Sequence, residues 1–162
     1  LSDLSHQLDA IKLVHEKLHQ TEDITRINVR YYLQDLLASV FSFDSRPVKI
    51  QSTIEVTYLK TRTAVPLGLI VNELATNAVK HGFTTVEEAR FSISLREDIE
   101  SNHYILIISN SGEPFPADKN FDNPDTLGLR LISALVEQKN GTIELTKRPN
   151  PQFVIRFPAE EK

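Results

Sequence analysis

Residues 64–82 read AVPLGLIVNELATNAVKHG and carry the clearest pattern in the chain. The pattern predicts a long helix over 64–82. Pro66 is expected in its first turn, where the missing N–H costs nothing. Apolar residues recur at the spacing of one helix face, which is expected to pack on a sheet: Leu67, Val71, Leu74 and Ala78.

The same helix carries polar side chains along another stripe. At about 100° per residue, Glu73, Asn77 and Lys80 fall within roughly 60° of one another, with His81 beside them. A carboxylate, a carboxamide and a cation are the ingredients of a phosphate–metal site, because an amide oxygen suits Mg²⁺, a carboxylate can act as a base and an ammonium neutralises phosphate. An ordinary solvated helix face is the alternative. Asn77 favours the site, since Asn is a poor helix former.

Patterns on either side of this helix predict alternating helices and strands. Before it, we expect helices over 3–20 and 28–41, a linker over 42–47 and a strand over 48–56. After it, we expect strands over 90–96 and 104–109, a loop over 110–125, a helix over 127–139 and strands over 141–146 and 152–157. This order indicates an α/β two-layer sandwich, with helices on one face of a mixed, mostly antiparallel sheet and further helices preceding it.

Two other segments are candidate ligand contacts. An apolar strand ends at Asn110, and Gly112 follows in a loop, which is where a ligand can approach the backbone. A simple strand end is the alternative. Thr126-Leu127-Gly128-Leu129 places a glycine at a helix start, whose unpaired N–H groups and dipole favour phosphate. Many helix starts share this second pattern.

Composition limits the class of function. The chain has 162 residues, with 18 Lys and Arg against 22 Asp and Glu, so its net charge is −4 and it is not expected to bind nucleic acid by bulk electrostatics. It has no Cys, which excludes thiolate nucleophiles and Cys-based zinc sites. No apolar run approaches the ~20 residues of a membrane span. We expect a cytoplasmic domain without direct membrane contact.

The first residue is Leu1 and the chain contains no Met. We therefore expect it to be a piece of a longer protein, which could itself be anchored in a membrane.

Taken in order, these segments resemble the ATP-binding domain of two-component sensor histidine kinases, within the GHKL superfamily. Residues 64–81 are similar to the family's N-box, and Leu127-Gly128-Leu129 followed by 138–142 resembles its second glycine box and the next strand. His15-Glu16-Lys17-Leu18 and Tyr32-Leu33 look like the second dimerisation helix and connector of the HWE-like subgroup. The resemblance covers essentially the whole chain. It implies the GHKL (Bergerat) fold, with ATP and Mg²⁺ as cofactors.

The resemblance implies a role for each matching residue. Asn77 would coordinate Mg²⁺, and Glu73 would act as the base or the water-orienting carboxylate. Lys80 and His81 would contact the nucleotide phosphates. Backbone N–H groups of the second glycine box would also contact the phosphates. Besides Asn77, Lys80 and His81, the residues that the resemblance places against the nucleotide are Asn110, Gly112, Leu127, Gly128, Leu129 and Thr142.

The adenine end of the implied site departs from the family pattern. Asn110 stands where the family has an Asp that accepts a hydrogen bond from the adenine amino group, so the charge that strengthens this bond is missing. Pro114 stands at the second glycine of this box, and Thr126 replaces a glycine often found in the second box. Residues 150–153 lack the Gly-Thr pair that the family often places near adenine. We therefore predict reduced ATP affinity.

The expected division of the chain is into residues 1–43, the C-terminal part of the dimerisation and phosphotransfer helices, and 44–162, the catalytic ATP-binding domain. The longer protein would form a homodimer through its N-terminal helices. It would transfer the γ-phosphoryl group of ATP to a His, for relay to the receiver domain of a response regulator.

No His in the chain fits the acceptor motif of the subgroup. His15-Glu16 resembles the start of the acceptor box of the larger kinase class, but Gln20 occupies its Pro position. We expect the acceptor upstream of Leu1. The fragment alone is then expected to bind Mg-ATP without phosphorylating itself.

Two alternative functions stay open. A degenerate, non-catalytic GHKL interaction module would account for the altered loop at 110–114, whereas Glu73, Asn77 and Lys80 favour catalysis. A GHKL serine kinase of the anti-sigma type is opposed by the helices before Asp44, because that group has no dimerisation hairpin there.

Overall fold

The computed structural model describes residues 5–13, 26–85 and 88–161. The helices are α1 (residues 5–13), α2 (Val29–Phe41), α3 (Thr61–Asn77) and α4 (Leu127–Gln138), and α3 is followed by a π-helical turn (Ala78–Gly82) and a 3₁₀ turn (Phe83–Thr85). The strands are β1 (Arg26–Asn28), β2 (Val48–Ile54), β3 (Tyr58–Lys60), β4 (Ala89–Asp98), β5 (His103–Asn110), β6 (Thr142–Thr146) and β7 (Gln152–Pro158).

Five strands form one mixed sheet in the order β2-β4-β5-β7-β6. The β2–β4 pair is parallel and the other three pairs are antiparallel. In β4 and β7 buried residues alternate with more exposed ones, so that one face of the sheet is buried, as Phe91 and Ile93 of β4 and Phe153 and Ile155 of β7 are. Helices cover this face. The predicted two-layer α/β sandwich is confirmed.

Helix α2 belongs to the same hydrophobic core as the sheet. Asn28 caps its N-terminus by accepting a hydrogen bond from the backbone N–H of Tyr31 at 3.2 Å. At its other end, the ring of Phe41 lies 5.2 Å from that of Phe91 in an edge-on contact. The predicted helix over 28–41 is confirmed within one residue.

The expected start of the central helix was wrong. Helix α3 begins at Thr61, so Pro66 lies inside the helix and not in its first turn. Proline cannot donate to the carbonyl four residues before it, and here the Arg62 carbonyl instead accepts a hydrogen bond from Lys139 Nζ at 3.3 Å. A contact from α4 thus compensates for the hydrogen bond that Pro66 cannot make.

Two short elements were not predicted. Strands β1 and β3 pair antiparallel in a separate two-stranded sheet beside α2 and α3. The N-terminal helix is confirmed over residues 5–13, and the rest of the predicted range 3–20, including the His15–Leu18 motif, lies outside the described residues. No described helix has both the length and the apolar character that a membrane span needs.

Candidate functional site

A cavity of about 310 Å³ lies where the end of α3, the end of β5 and the start of α4 meet. This volume is in the range of small-molecule sites. Four of the residues predicted to contact nucleotide or Mg²⁺ line it, although they come from three separate segments: Asn77, His81, Asn110 and Leu129. The fold therefore assembles these segments around one cavity.

Asn77 is the last residue of α3 and its side chain lines the cavity while half-buried. Its carboxamide makes no hydrogen bond to any described residue, so its oxygen is available to a ligand. Within residues 5–13, 26–85 and 88–161, no cluster of three His, Asp or Glu side chains could hold a metal. A lone amide oxygen fits Mg²⁺, which keeps several waters and takes its other ligands from phosphates.

Lys80 and His81 lie on the π-helical turn that continues α3. His81 lines the cavity, whereas Lys80 does not. Burial lowers the pKa of Lys80, and the pKa of His81 is lowered by burial and then by the nearby positive charge of Lys80. A phosphate bound near Lys80 and His81 would favour their charged forms and so oppose these shifts.

Asn110 ends β5 and contributes a nearly buried carboxamide to the cavity. Its Nδ2 donates to the Ser111 carbonyl at 2.9 Å, which directs this amide group toward the protein. The following loop is held on two sides, because Glu113 N donates to the Gly82 carbonyl at 2.8 Å and Asn150 Nδ2 donates to the Gly112 carbonyl at 2.8 Å. Gly112 adopts φ 101°, which a side chain would strain.

The start of α4 borders the same cavity. Thr126 is its N-cap, and its hydroxyl accepts a hydrogen bond from Leu129 N at 3.2 Å. Gly128 lies against the catalytic candidate of α3, because a β-carbon at this position would be 2.8 Å from Glu73 Oε2. A glycine therefore lets the α4 N-terminus approach the Glu73 carboxylate.

Glu73 is 5% exposed and does not line the cavity, so the solvated-face alternative is wrong for this residue. The Gln7 side chain of helix α1 hydrogen-bonds to its carboxylate. Burial raises the pKa of Glu73, and the hydrogen bond from Gln7 partly offsets this rise. A buried carboxylate with a raised pKa is a common feature of functional sites.

Part of the cavity wall was not predicted from the sequence. Lys119 lines the cavity and forms an ion pair with Asp125 at 2.8 Å, which raises the pKa of the lysine. Phe115 also lines it and packs edge-on against Phe153, with ring centroids 5.7 Å apart. Phe115, Lys119 and Asp125 all lie in the irregular, proline-containing loop between β5 and α4. Such a loop has no helical or strand periodicity that could indicate them.

Five of the predicted contact residues lie outside the cavity lining: Lys80, Gly112, Leu127, Gly128 and Thr142. Leu127 is 57% exposed at the start of α4. Thr142 begins β6 and is paired with Arg156 of β7. Gly128 borders the lining between Thr126 and Leu129.

Two family models match the chain. The model described as histidine kinase-, DNA gyrase B-, and HSP90-like ATPase matches residues 63–161, which include the whole cavity lining. A histidine kinase model, HisKA_2, matches residues 1–44. The second match favours a kinase over the interaction module and the anti-sigma type.

Among curated proteins, the chain is similar to blue-light-activated histidine kinase 2 of Erythrobacter litoralis, with 24% identity over 89% of this chain and 43% of that protein. It is also similar to the sensor histidine kinase PdtaS of Mycobacterium tuberculosis, with 26% identity over 94% of this chain and 31% of that protein. The chain thus spans less than half the length of these relatives.

Solved structures show the same fold. The histidine kinase domain of the Erythrobacter litoralis EL346 blue-light activated histidine kinase superposes with a TM-score of 0.84 at 20% identity, over 98% of this chain and 75% of that one. The Acinetobacter baumannii histidine kinase AdeS gives 0.63 at 18% identity, over 98% and 79%. The chain belongs to the histidine kinase-, DNA gyrase B-, and HSP90-like ATPase family through residues 63–161, and residues 1–44 match the histidine kinase model.

Proposed function

We propose that the cavity binds Mg-ATP and that the protein containing this chain transfers the γ-phosphoryl group to a His side chain. The main support is that one cavity is lined by residues from three segments that are far apart in the sequence: Asn77, Asn110 and Leu129. Phosphoryl transfer needs positioning and charge neutralisation more than covalent help. A site with one amide oxygen, a lysine beside it and a helix N-terminus meets that need.

Each residue would act where its element places it. Asn77 would supply the protein ligand to Mg²⁺, which neutralises phosphate charge when bound. His81 and Lys80 would contact phosphates from the next turn. The N–H of Gly128 has no partner within its helix, so it is available to a phosphate, whereas that of Leu129 is already accepted by Thr126.

Glu73 would act as the base. In the transfer, a ring nitrogen of the acceptor His forms a bond to the γ-phosphorus while the bond from that phosphorus to the β–γ bridging oxygen breaks. ADP leaves with the electron pair of the broken bond, and the proton of the other ring nitrogen moves to the Glu73 carboxylate. Burial raises the pKa of Glu73 and so makes it a stronger base.

Asn110 would hydrogen-bond to the adenine base. Because its Nδ2 is engaged by the Ser111 carbonyl, Oδ1 is the atom left to accept a hydrogen bond from the adenine amino group. A neutral acceptor forms a weaker bond than a carboxylate. Reduced ATP affinity is therefore retained as a prediction, and a micromolar dissociation constant for Mg-ATP by isothermal titration would contradict it.

Mg-ATP should raise the melting temperature of the chain. A ligand at 100 times its dissociation constant adds about 2.7 kcal/mol to the free energy of unfolding. For a domain of this size each kcal/mol corresponds to roughly 2–4 °C, so we expect a rise of about 5–10 °C by differential scanning fluorimetry. No rise at any Mg-ATP concentration would favour the non-catalytic module instead.

Asn110→Ala should reduce the preference for ATP over GTP. GTP presents a carbonyl oxygen where ATP presents an amino group, and that oxygen would face Asn110 Oδ1 without a proton between them. Removing the carboxamide is expected to weaken ATP roughly tenfold, the effect of losing about 1.4 kcal/mol, and to leave GTP unchanged or improved. Competition of both nucleotides against one fluorescent nucleotide measures the ratio, and an unchanged ratio would contradict this role.

We also propose the wider setting of this domain. Residues 1–43 would be the end of the dimerisation and phosphotransfer helices and residues 44–162 the catalytic unit. The whole protein would be a homodimer acting in the cytoplasm, and a receiver domain of a response regulator would accept the phosphoryl group. Support comes from the histidine kinase match over residues 1–44. Size-exclusion chromatography with light scattering and a phosphotransfer assay on the full-length protein test these proposals.

A further inference from the structure

A second groove, of about 380 Å³, lies on the face of the sheet opposite the helices. In the register of the sheet, one polar residue of each strand pairs with a polar residue of the neighbouring strand. These residues form a row of polar side chains that crosses all five strands. We call it the open-face groove, and the row that forms its floor is Gln51, Ser92, Ser109, Gln152 and Thr146.

Two guanidinium groups border the open-face groove. Arg90 stands near the start of β4 and Arg148 in the connection from β6 to β7, and both residues are exposed. Neither forms an ion pair with a described residue, and no Asp or Glu of the described ranges lines the groove. In a chain of net charge −4, two exposed arginines with no ion-pair partner among the described residues favour an anionic partner.

The dimensions fit an extended peptide. Five strands are separated by four spacings of about 4.8 Å, so the polar row is roughly 19 Å long, the length of about six extended residues. Arg90 and Arg148 are separated by two to three strand spacings, about 10–14 Å. In an extended peptide, side chains at positions i and i+4 point to the same side and lie roughly 13 Å apart.

We propose that the open-face groove binds an extended acidic segment of a partner protein, with carboxylates at positions i and i+4 paired to Arg90 and Arg148. The hydroxyl and amide groups of the floor would hydrogen-bond to the peptide backbone between them. This site is separate from the nucleotide cavity, although Asn110 and Pro151 border both. The Asn150–Gly112 hydrogen bond links the groove rim to the loop beside that cavity.

The test uses the full 162-residue chain and two fluorescein-labelled peptides of equal composition. In Glu-Ser-Ala-Ser-Glu the carboxylates are four positions apart, and in Ser-Glu-Glu-Ala-Ser they are adjacent. Fluorescence polarisation at low ionic strength should show at least threefold tighter binding of the first peptide. The double variant R90Q/R148Q should weaken it at least tenfold, and added salt should weaken it too, because exposed charges are screened.

A matched control is Arg62→Gln, which removes an exposed arginine elsewhere, at the start of α3. It should change peptide binding less than twofold, and R90Q/R148Q should leave fluorescent nucleotide binding unchanged. Equal affinity for the two peptides, or an equal loss in the Arg62 variant, would overturn the proposal. So would displacement of the peptide by inorganic tripolyphosphate or by a short RNA at a lower concentration than by unlabelled peptide.

Discussion

Asn77→Ala should abolish the Mg²⁺ dependence of nucleotide binding. The wild-type chain is expected to bind an ATP analogue more tightly with Mg²⁺ than with EDTA, because the amide oxygen of Asn77 completes the coordination of an ion held mainly by phosphates and water. Without this oxygen, we expect an affinity at least about 100-fold lower in Mg²⁺, corresponding to ~3 kcal/mol. Isothermal titration with and without Mg²⁺ measures both values.

The fold itself should tolerate this change. Asn77 is half-buried and makes no hydrogen bond to a described residue, so truncation removes little stabilisation. Asn72→Ala is the control, since Asn72 lies on the same helix, its Nδ2 has no hydrogen-bond partner among the described residues, and it does not line the cavity. Mg²⁺-dependent binding that survives in the Asn77 variant, or that is lost equally in the control, would remove Asn77 from the metal site.

The part of the cavity that lies in local sequence motifs could be predicted from the sequence and from the family resemblance. Asn77, His81 and Leu129 stand in motifs whose order matches a known family, and the structure brings them together. Strands β1 and β3 have three residues each, which is too short for an alternating pattern to be recognised. Lys60 at the N-cap of α3 makes no side-chain cap, so the sequence offered no start signal before Pro66.

Burial of Glu73 could not be predicted for a different reason. A helical wheel places Glu73 on a polar stripe, and whether that stripe faces water depends on what packs against it. Here the contact comes from Gln7 of α1, a helix far away in sequence. Long-range packing of this kind leaves no local signal, and the raised pKa of the carboxylate follows from it.

Glu73→Gln should inactivate phosphoryl transfer and at the same time stabilise the fold. As the proposed base, Glu73 contributes a factor of about 10²–10⁴, so we expect transfer in the full-length kinase to fall at least 100-fold while Mg-ATP affinity changes less than threefold. Radiolabelled ATP and isothermal titration measure these two effects. Glu137→Gln is the control, because Glu137 is exposed on α4 and its side chain makes no hydrogen bond or ion pair with a described residue.

The stability effect has a defined pH dependence. The pKa of Glu73 is raised in the folded chain, so this group favours folding below its ordinary pKa of 4.5, and that contribution is lost as the pH rises through the folded value. Near pH 7 the desolvation of the Glu73 carboxylate therefore lowers the free energy of unfolding. The neutral amide of the variant removes this cost and can still hydrogen-bond to Gln7. The melting temperature of Glu73→Gln should exceed that of the wild type near pH 7, by roughly 2–4 °C for each kcal/mol. This difference should narrow as the pH falls toward 4.5. A variant that melts lower than the wild type near pH 7 would contradict this prediction. It would mean that the attractive contacts of the Glu73 carboxylate outweigh the cost of its desolvation.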